Sequence, residues 1–340
     1  MSGVVPSGMH RPLARWLALG CLGWMACSLL PAVAGPAAAP ALDAAAWLAR
    51  LNTAAAESNY SGTMVFTAGG GLVSSSRVAH VCNGDQIYER VEALDGHQHR
   101  VYRHNETVHS VWPHKKIVVV EQKAATPSLV STRRRVEPRA LAHYTLSVKG
   151  SSVVAGRSAQ VLLLMPRDDL RFAQRLLADE ATGLLLRADV IAPDGRVLES
   201  SAFSDVVIGG RGDAKAVLEG MTPAGYQVLP SARQPVDWAA QGWRLKSLVP
   251  GFELIGSVQR PGLSRGSAAP ALQVMFSDGL SYVSLFIEPW REPAHPQALA
   301  TETGATHTLM QRVGDHWITA MGDVPRQTLE HLIDALEQTR

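Results

Sequence analysis

Between residues 60 and 207 apolar and polar side chains alternate in about eleven short runs punctuated by turn residues, the period of half-buried strands. The first six runs are 60–67, 72–81, 86–93, 99–103, 107–112 and 117–121, with turns at Gly69-Gly70-Gly71 and Asp95-Gly96. A second series follows at 145–149, 159–165, 172–178, 184–191 and 197–207, joined through Ala181-Thr182-Gly183 and Pro193-Asp194-Gly195. Between them residues 124–143 carry Pro127, Arg133-Arg134-Arg135, Pro138 and Arg139, a polar stretch too long for a hairpin that should hold a helical turn. One helix precedes the strands: Asp43 can cap a segment running to Ser58 in which Trp47, Leu48, Leu51 and Ala55 share a face. So many consecutive strands need protected edges, which predicts a large curved antiparallel sheet with this helix in its concave face and an apolar hollow beside it.

Composition narrows the class. Of 340 residues 46% are apolar and 18% charged, so the chain is neither disordered nor a multispanning membrane protein. Two of its 32 basic side chains, Arg11 and Arg15, lie in the first 34 residues, which hold no acid; the other 30 balance the 30 acids. A neutral chain with 6% aromatic residues lacks the basic footprint of a nucleic-acid binder. The leading segment explains the charge offset. After Arg15 comes an apolar run over 16–30, then Pro31-Ala32-Val33-Ala34, which reads as an export signal cut after Ala34. A run of roughly 15 residues is short of the ~20 needed to span a bilayer. Cys21 and Cys27 leave with the signal, so Cys82 stands alone, no internal disulfide forms, and a small buried role is expected for it.

Residues 209–235 lack sustained periodicity and read as a linker after a first domain at 35–208. A smaller α+β domain at 236–340 is predicted, with strands at 241–245, 252–260, 272–276, 282–288, 307–313 and 316–321. Its last helix, 325–338, starts at Pro325 and aligns Leu329, Leu332, Ile333 and Leu336 on one stripe. Trp112, Trp243, Trp290 and Trp317 suit either a core or an interface.

Chemistry-bearing motifs are sparse. His80, His97, His99, His104, His109 and His114 cluster in sequence but lack ligand spacing such as Glu-x-x-His, so no metal site is expected. There is no Gly-x-Ser-x-Gly elbow and no phosphate loop; Asp168-Asp169 are adjacent and point apart on a strand, or flank a loop. Binding is the better-supported role. Arg133, Arg134, Arg135 and Arg139 offer guanidinium forks for lipid phosphates or acidic partner residues. Ser277-Asp278-Gly279-Leu280 is first of all a tight turn, with Gly279 supplying the positive φ, and secondly a candidate partner-binding hairpin.

The ordered set of export signal, Trp47-Leu48, Asn59-Tyr60-Ser61-Gly62-Thr63, Asp95-Gly96, Val154-Ala155-Gly156-Arg157, Thr182-Gly183-Leu184, the 243–252 segment and Ser277-Asp278-Gly279-Leu280 resembles the MucB/RseB family. That resemblance implies a periplasmic negative regulator of an envelope-stress sigma factor, which binds the periplasmic domain of a membrane-anchored anti-sigma factor and shields it from proteolysis. It implies a mainly β fold: a first domain similar to the open β-barrel of LolA-like lipoprotein carriers, enclosing helices, and a small α+β second domain. Apart from the resemblance, the apolar hollow expected beside the helix suits acyl chains, so lipoprotein acyl chains or lipopolysaccharide are expected as further ligands, and self-association is left open. The family brings no catalytic motif, so neither enzyme activity nor a cofactor is expected. The competing reading is a periplasmic lipid or lipoprotein carrier, which would end after one open barrel and leave residues 236–340 without a role.

Overall fold

The structure, a computed structural model, describes residues 43–96, 98–122, 136–263, 269–292, 295 and 297–339. Helix α1 (Ala44–Glu57) begins where the Asp43 carboxylate accepts from the Ala46 amide at 2.7 Å, and it buries Trp47, Leu48, Leu51, Ala54 and Ala55. The strands follow in the expected order: β1 (Tyr60–Ala68), β2 (Leu72–Asn83), β3 (Gln86–Ala93), β4 (Arg100–His104), β5 (Thr107–Trp112) and β6 (Ile117–Gln122). The second series is β7 (Tyr144–Val154), β8 (Arg157–Pro166), β9 (Ala173–Asp179), β10 (Leu185–Ile191) and β11 (Val197–Ile208). Each strand pairs antiparallel with its sequence neighbour, and β1 also pairs with β11. The first strand is therefore central, and the two series run outward from it in opposite directions. At that seam a Cβ on Gly62 would collide with the Asp205 carbonyl oxygen, so the close pairing requires glycine there.

The sheet curls round its helix. Strands β2 and β7 lie six places apart in the sheet order, ~29 Å if the sheet were flat, yet both touch α1, as does β10. Among the described residues it remains open, because β7 pairs on one side only. The polar interruption between β6 and β7 carries the chain from one flank of the sheet to its opposite edge. Its described part, Val136 to His143, includes the expected helical turn at Pro138–Ala142. The Asn52 side chain of α1 holds this crossing by donating to the Val136 carbonyl at 2.9 Å and accepting from its amide at 3.2 Å.

Residues 209–235 are not a free linker. Asp213 caps a short helix α2 (Ala214–Leu218), which packs on β2 and β3, and β12 (Gln227–Pro230) adds to the sheet in parallel beside β6. The reason is burial: Val217 from α2 is covered, and Met221 and Tyr226 close over buried Tyr102, Val111 and Val118. Short periodicity hid this segment, since few of its side chains make the contact.

A second sheet takes the order β13 (Gln234–Pro235), β15 (Glu253–Pro261), β16 (Pro270–Ser277), β17 (Tyr282–Pro289), β20 (His316–Gly322), β19 (Thr306–Val313) and β18 (Leu299–Thr303), with β14 (Trp243–Leu245) lying between β13 and β15 in sequence. Helix α3 (Arg326–Ala335) covers this sheet with Leu329, Leu332 and Ile333, against Phe276, Leu285, Ile318 and Trp243. The helix stops before 338: Leu336 opens β21 (Leu336–Gln338), which pairs with β14. Its apolar stripe is real, but its last member serves a strand because tertiary pairing wins over helical spacing. Strand β18 is exposed along its length, so no alternation marks it in the sequence. Trp243 and Trp317 are core, while Trp112 and Trp290 are half-buried. Among the described residues no helix is long and apolar enough to cross a membrane.

Candidate functional site

The turn between β16 and β17 is built by its own side chains. The Asp278 carboxylate accepts from the Leu280 amide at 2.9 Å and the Ser281 amide at 2.7 Å, and the Ser277 hydroxyl accepts from the Gly279 amide at 2.9 Å. Gly279 sits at φ +93°, where any side chain would be strained, and an added Cβ would press on Glu137, Arg139 and Ala140. Those three residues belong to the crossing of the first sheet. The hairpin offered by the sequence as a partner surface is thus turned inward, with Ser277, Asp278 and Leu280 fully buried.

Its second carboxylate oxygen faces the other sheet. Arg171, in the β8–β9 connection, donates from Nε to Asp278 at 2.7 Å, and the Tyr144 hydroxyl donates to the same oxygen at 3.1 Å. Arg171 also pairs with Asp168, donates to the Pro250 carbonyl, and stacks over Phe252 at 5.0 Å. Both members of the Arg171–Asp278 pair are wholly shielded from solvent. Burial, and then the Asp278 charge, push the Tyr144 hydroxyl far above the ordinary tyrosine range. Leu280 completes the insertion: it belongs to the buried cluster of Trp47, Leu48, Leu51, Val136, Ala140 and Tyr144, the core of the first sheet and its helix.

Arg139, singled out separately by the sequence, comes to the same place. Its Nη1 donates to the Ser277 carbonyl at 2.9 Å and lies 3.4 Å from Glu253, while Nε pairs with Glu137 at 2.7 Å. The Glu137 amide in turn donates to the Gly279 carbonyl at 3.0 Å. Arg133, Arg134 and Arg135 lie outside the described residues, as does His97. The sequence missed Arg171 and Tyr144, which sit in or beside ordinary strands and carry no motif, and it placed Asp168 only beside a loop, without its partner Arg171.

Several further contacts join the sheets away from the hairpin, among them the packing of Phe172 and Val190 with Ala305. Glu199 on β11 accepts from the Ala305 amide at 3.0 Å, and the Thr328 hydroxyl of α3 donates to the Leu170 carbonyl at 2.7 Å. The histidines serve local structure: His80 bonds the Ser58 carbonyl at 2.8 Å, His104 bonds Gln86 at 2.9 Å, and His99 stacks on Trp112 at 4.8 Å. Cys82 is half-buried and donates to the Ala56 carbonyl at 2.7 Å. Among the described residues no three His, Cys, Asp or Glu side chains gather closely enough to hold a metal ion.

Residues 43–224 match the MucB/RseB N-terminal domain, and residues 237–337 match the MucB/RseB C-terminal domain. The chain belongs to the MucB/RseB family. Its relatives include the sigma factor AlgU regulatory protein MucB of Pseudomonas aeruginosa, 30% identical over 310 residues that cover 89% of this chain and 94% of that protein. The sigma-E factor regulatory protein RseB of Haemophilus influenzae is 25% identical over 325 residues, covering 93% and 98%. Among solved MucB/RseB structures, the complex of Pseudomonas aeruginosa MucA and MucB superposes with a TM-score of 0.69 at 26% identity, over 87% of this chain and 99% of that one. A crystal structure of MucB in complex with MucA(peri) gives 0.67 at 26% identity, over 88% and 100%. The match spans both sheets, so the junction described here falls inside the shared MucB/RseB fold.

Proposed function

We propose that this chain restrains an envelope-stress sigma factor by binding the periplasmic domain of a membrane-anchored anti-sigma factor and shielding it from proteolysis. The observation that carries this reading is the match of 88% of this chain to the whole of a MucB chain whose crystal structure is a complex with MucA(peri). In this reading the chain works in the periplasm as a binding protein, exported by the signal at 1–34, and mass spectrometry of the native protein should find its N-terminus at or close to Gly35. The carrier alternative loses support from the junction, where the second sheet contributes Leu280 to the core of the first.

Titration calorimetry of the full mature chain with the periplasmic segment of its anti-sigma factor tests the proposal. Saturable binding is expected, and no heat at stoichiometric concentrations would refute it. Acyl chains are the proposed release signal, taken up beside α1 where the sequence pattern leads to an expected apolar hollow, with Arg133, Arg134 and Arg135 as headgroup contacts. Replacing the three arginines by Ala should blunt lipid-induced release and leave lipid-free affinity nearly unchanged. A ligand can weaken the complex only by its preference for the unbound arrangement, about tenfold for each 1.4 kcal/mol.

A further inference from the structure

Leu280 fills a core that belongs to the other sheet, and it is carried there by a four-residue turn. The insertion is narrow and mostly polar. It consists of one leucine, one buried ion pair, the Tyr144 hydroxyl bond, and two bonds to the crossing, from Arg139 to Ser277 and from Glu137 to Gly279. Burying a charge pair fixes geometry more than it stabilises, because the desolvation cost offsets most of the attraction. When such a pair parts into water both charges regain hydration, so the contact is specific while closed and releasable as a unit. Everything inside the turn, by contrast, is self-supplied: Asp278 and Ser277 satisfy its amides whether or not the first sheet is present. The contacts from Glu199 to Ala305 and from Thr328 to Leu170 do not involve the hairpin and hold the sheets together without it.

We propose that the Ser277–Leu280 hairpin is a latch that leaves the first sheet in an opening step separate from unfolding. Release frees the crossing at 136–142, and through the Asn52 bonds to Val136 it loosens the seat of α1. The position of the second sheet is thereby tied to the packing of the helix inside the first. A partner that touches both sheets would meet two different surfaces, one with the latch closed and one with it open.

Hydrogen exchange on the full mature chain tests this without any partner. In the wild type the amides of Val136, Glu137 and Ala140, which lie in the crossing that the closed hairpin holds, should exchange together, and faster than the paired amides of β8–β9 and β16–β17. Asp278→Asn keeps an acceptor for the turn and removes the charge that Arg171 holds. It should speed exchange at those three amides by about tenfold or more, the loss expected for a charge-assisted hydrogen bond, and leave the strand amides unchanged. Leu280→Ala is the second variant and should act in the same direction. The latch is overturned if the three amides exchange only at the rate of the strands, or if Asp278→Asn accelerates every amide alike, as a merely structural staple would. Calorimetry with the anti-sigma segment separates the two proposals: no binding by any form defeats the regulatory reading and leaves the latch standing on its exchange data.

Discussion

Two of the three Asp-Gly turns in this chain carry the same sequence signal and have opposite fates. At Asp95-Gly96 the carboxylate accepts from the Ser75 hydroxyl at 2.7 Å and from the Ser75 amide, both on the neighbouring β2, and the turn stays exposed. At Asp278-Gly279 one oxygen serves the turn and the other is given to Arg171 and Tyr144 of a different sheet. The dipeptide specifies chain reversal in both places, because a short acceptor and a residue free to take positive φ are what a tight turn needs. Where the turn goes is decided by what surrounds it. The first is a local hairpin closure, and the second is a structural joint.

Substitutions can break that contrast, and the expected effects span a wide range. Asp278→Ala should be the most severe, because it takes from the buried Arg171 its fully shielded counter-charge and leaves it Asp168, the Pro250 carbonyl and the Phe252 ring; removing one partner of such a pair costs about 3–5 kcal/mol. The loss should appear as collapsed amide protection at the junction and a lowered thermal midpoint, and an unchanged midpoint with intact protection would put the joint elsewhere. Leu280→Ala should follow, costing the closed arrangement about 2–5 kcal/mol for a buried leucine truncated in a packed cluster, measured by denaturant titration.

Tyr144→Phe should have a smaller effect at neutral pH, the loss of one hydrogen bond at about 1 kcal/mol. Its signature lies at alkaline pH. Because burial raises the folded-state pKa above the unfolded one, the stabilisation is complete below the unfolded tyrosine value near ~10 and declines as pH rises past it. Stability of the wild type should therefore fall above pH ~10, and the phenylalanine variant should lose part of that slope. Asp95→Ala should do least. The Ser75 hydroxyl and amide hold the Asp95 carboxyl below its usual range, so its contribution is present above the ordinary carboxylate pKa and fades as acid protonates it. In an exposed turn its removal should leave the midpoint at neutral pH almost untouched.

The first sheet was legible almost strand by strand, since alternation, turn residues and the Asp43 cap are encoded within a few neighbours. Legibility failed where an element's reason lies elsewhere in the chain. Strand β12 forms because β6 has an edge to extend, and Leu336 leaves its helix because β14 offers a partner. The site divided in the same way. Arg139 and Ser277-Asp278-Gly279-Leu280 were recognisable as separate candidates by residue type, but nothing in their 138-residue separation announced that Arg139 would donate to Ser277. Arg171 and Tyr144 were invisible for the same reason.

The sequence by itself determined the local grammar: which runs become strands, where the chain turns, and that helix α1 must bury one apolar face. Only the tertiary structure decided that the turn at residues 277–280 enters the core of the first sheet, with Arg171 waiting for its carboxylate. A turn is fixed by dihedral preferences and hydrogen bonds within four residues, whereas a buried ion pair exists only when two distant segments exclude water together.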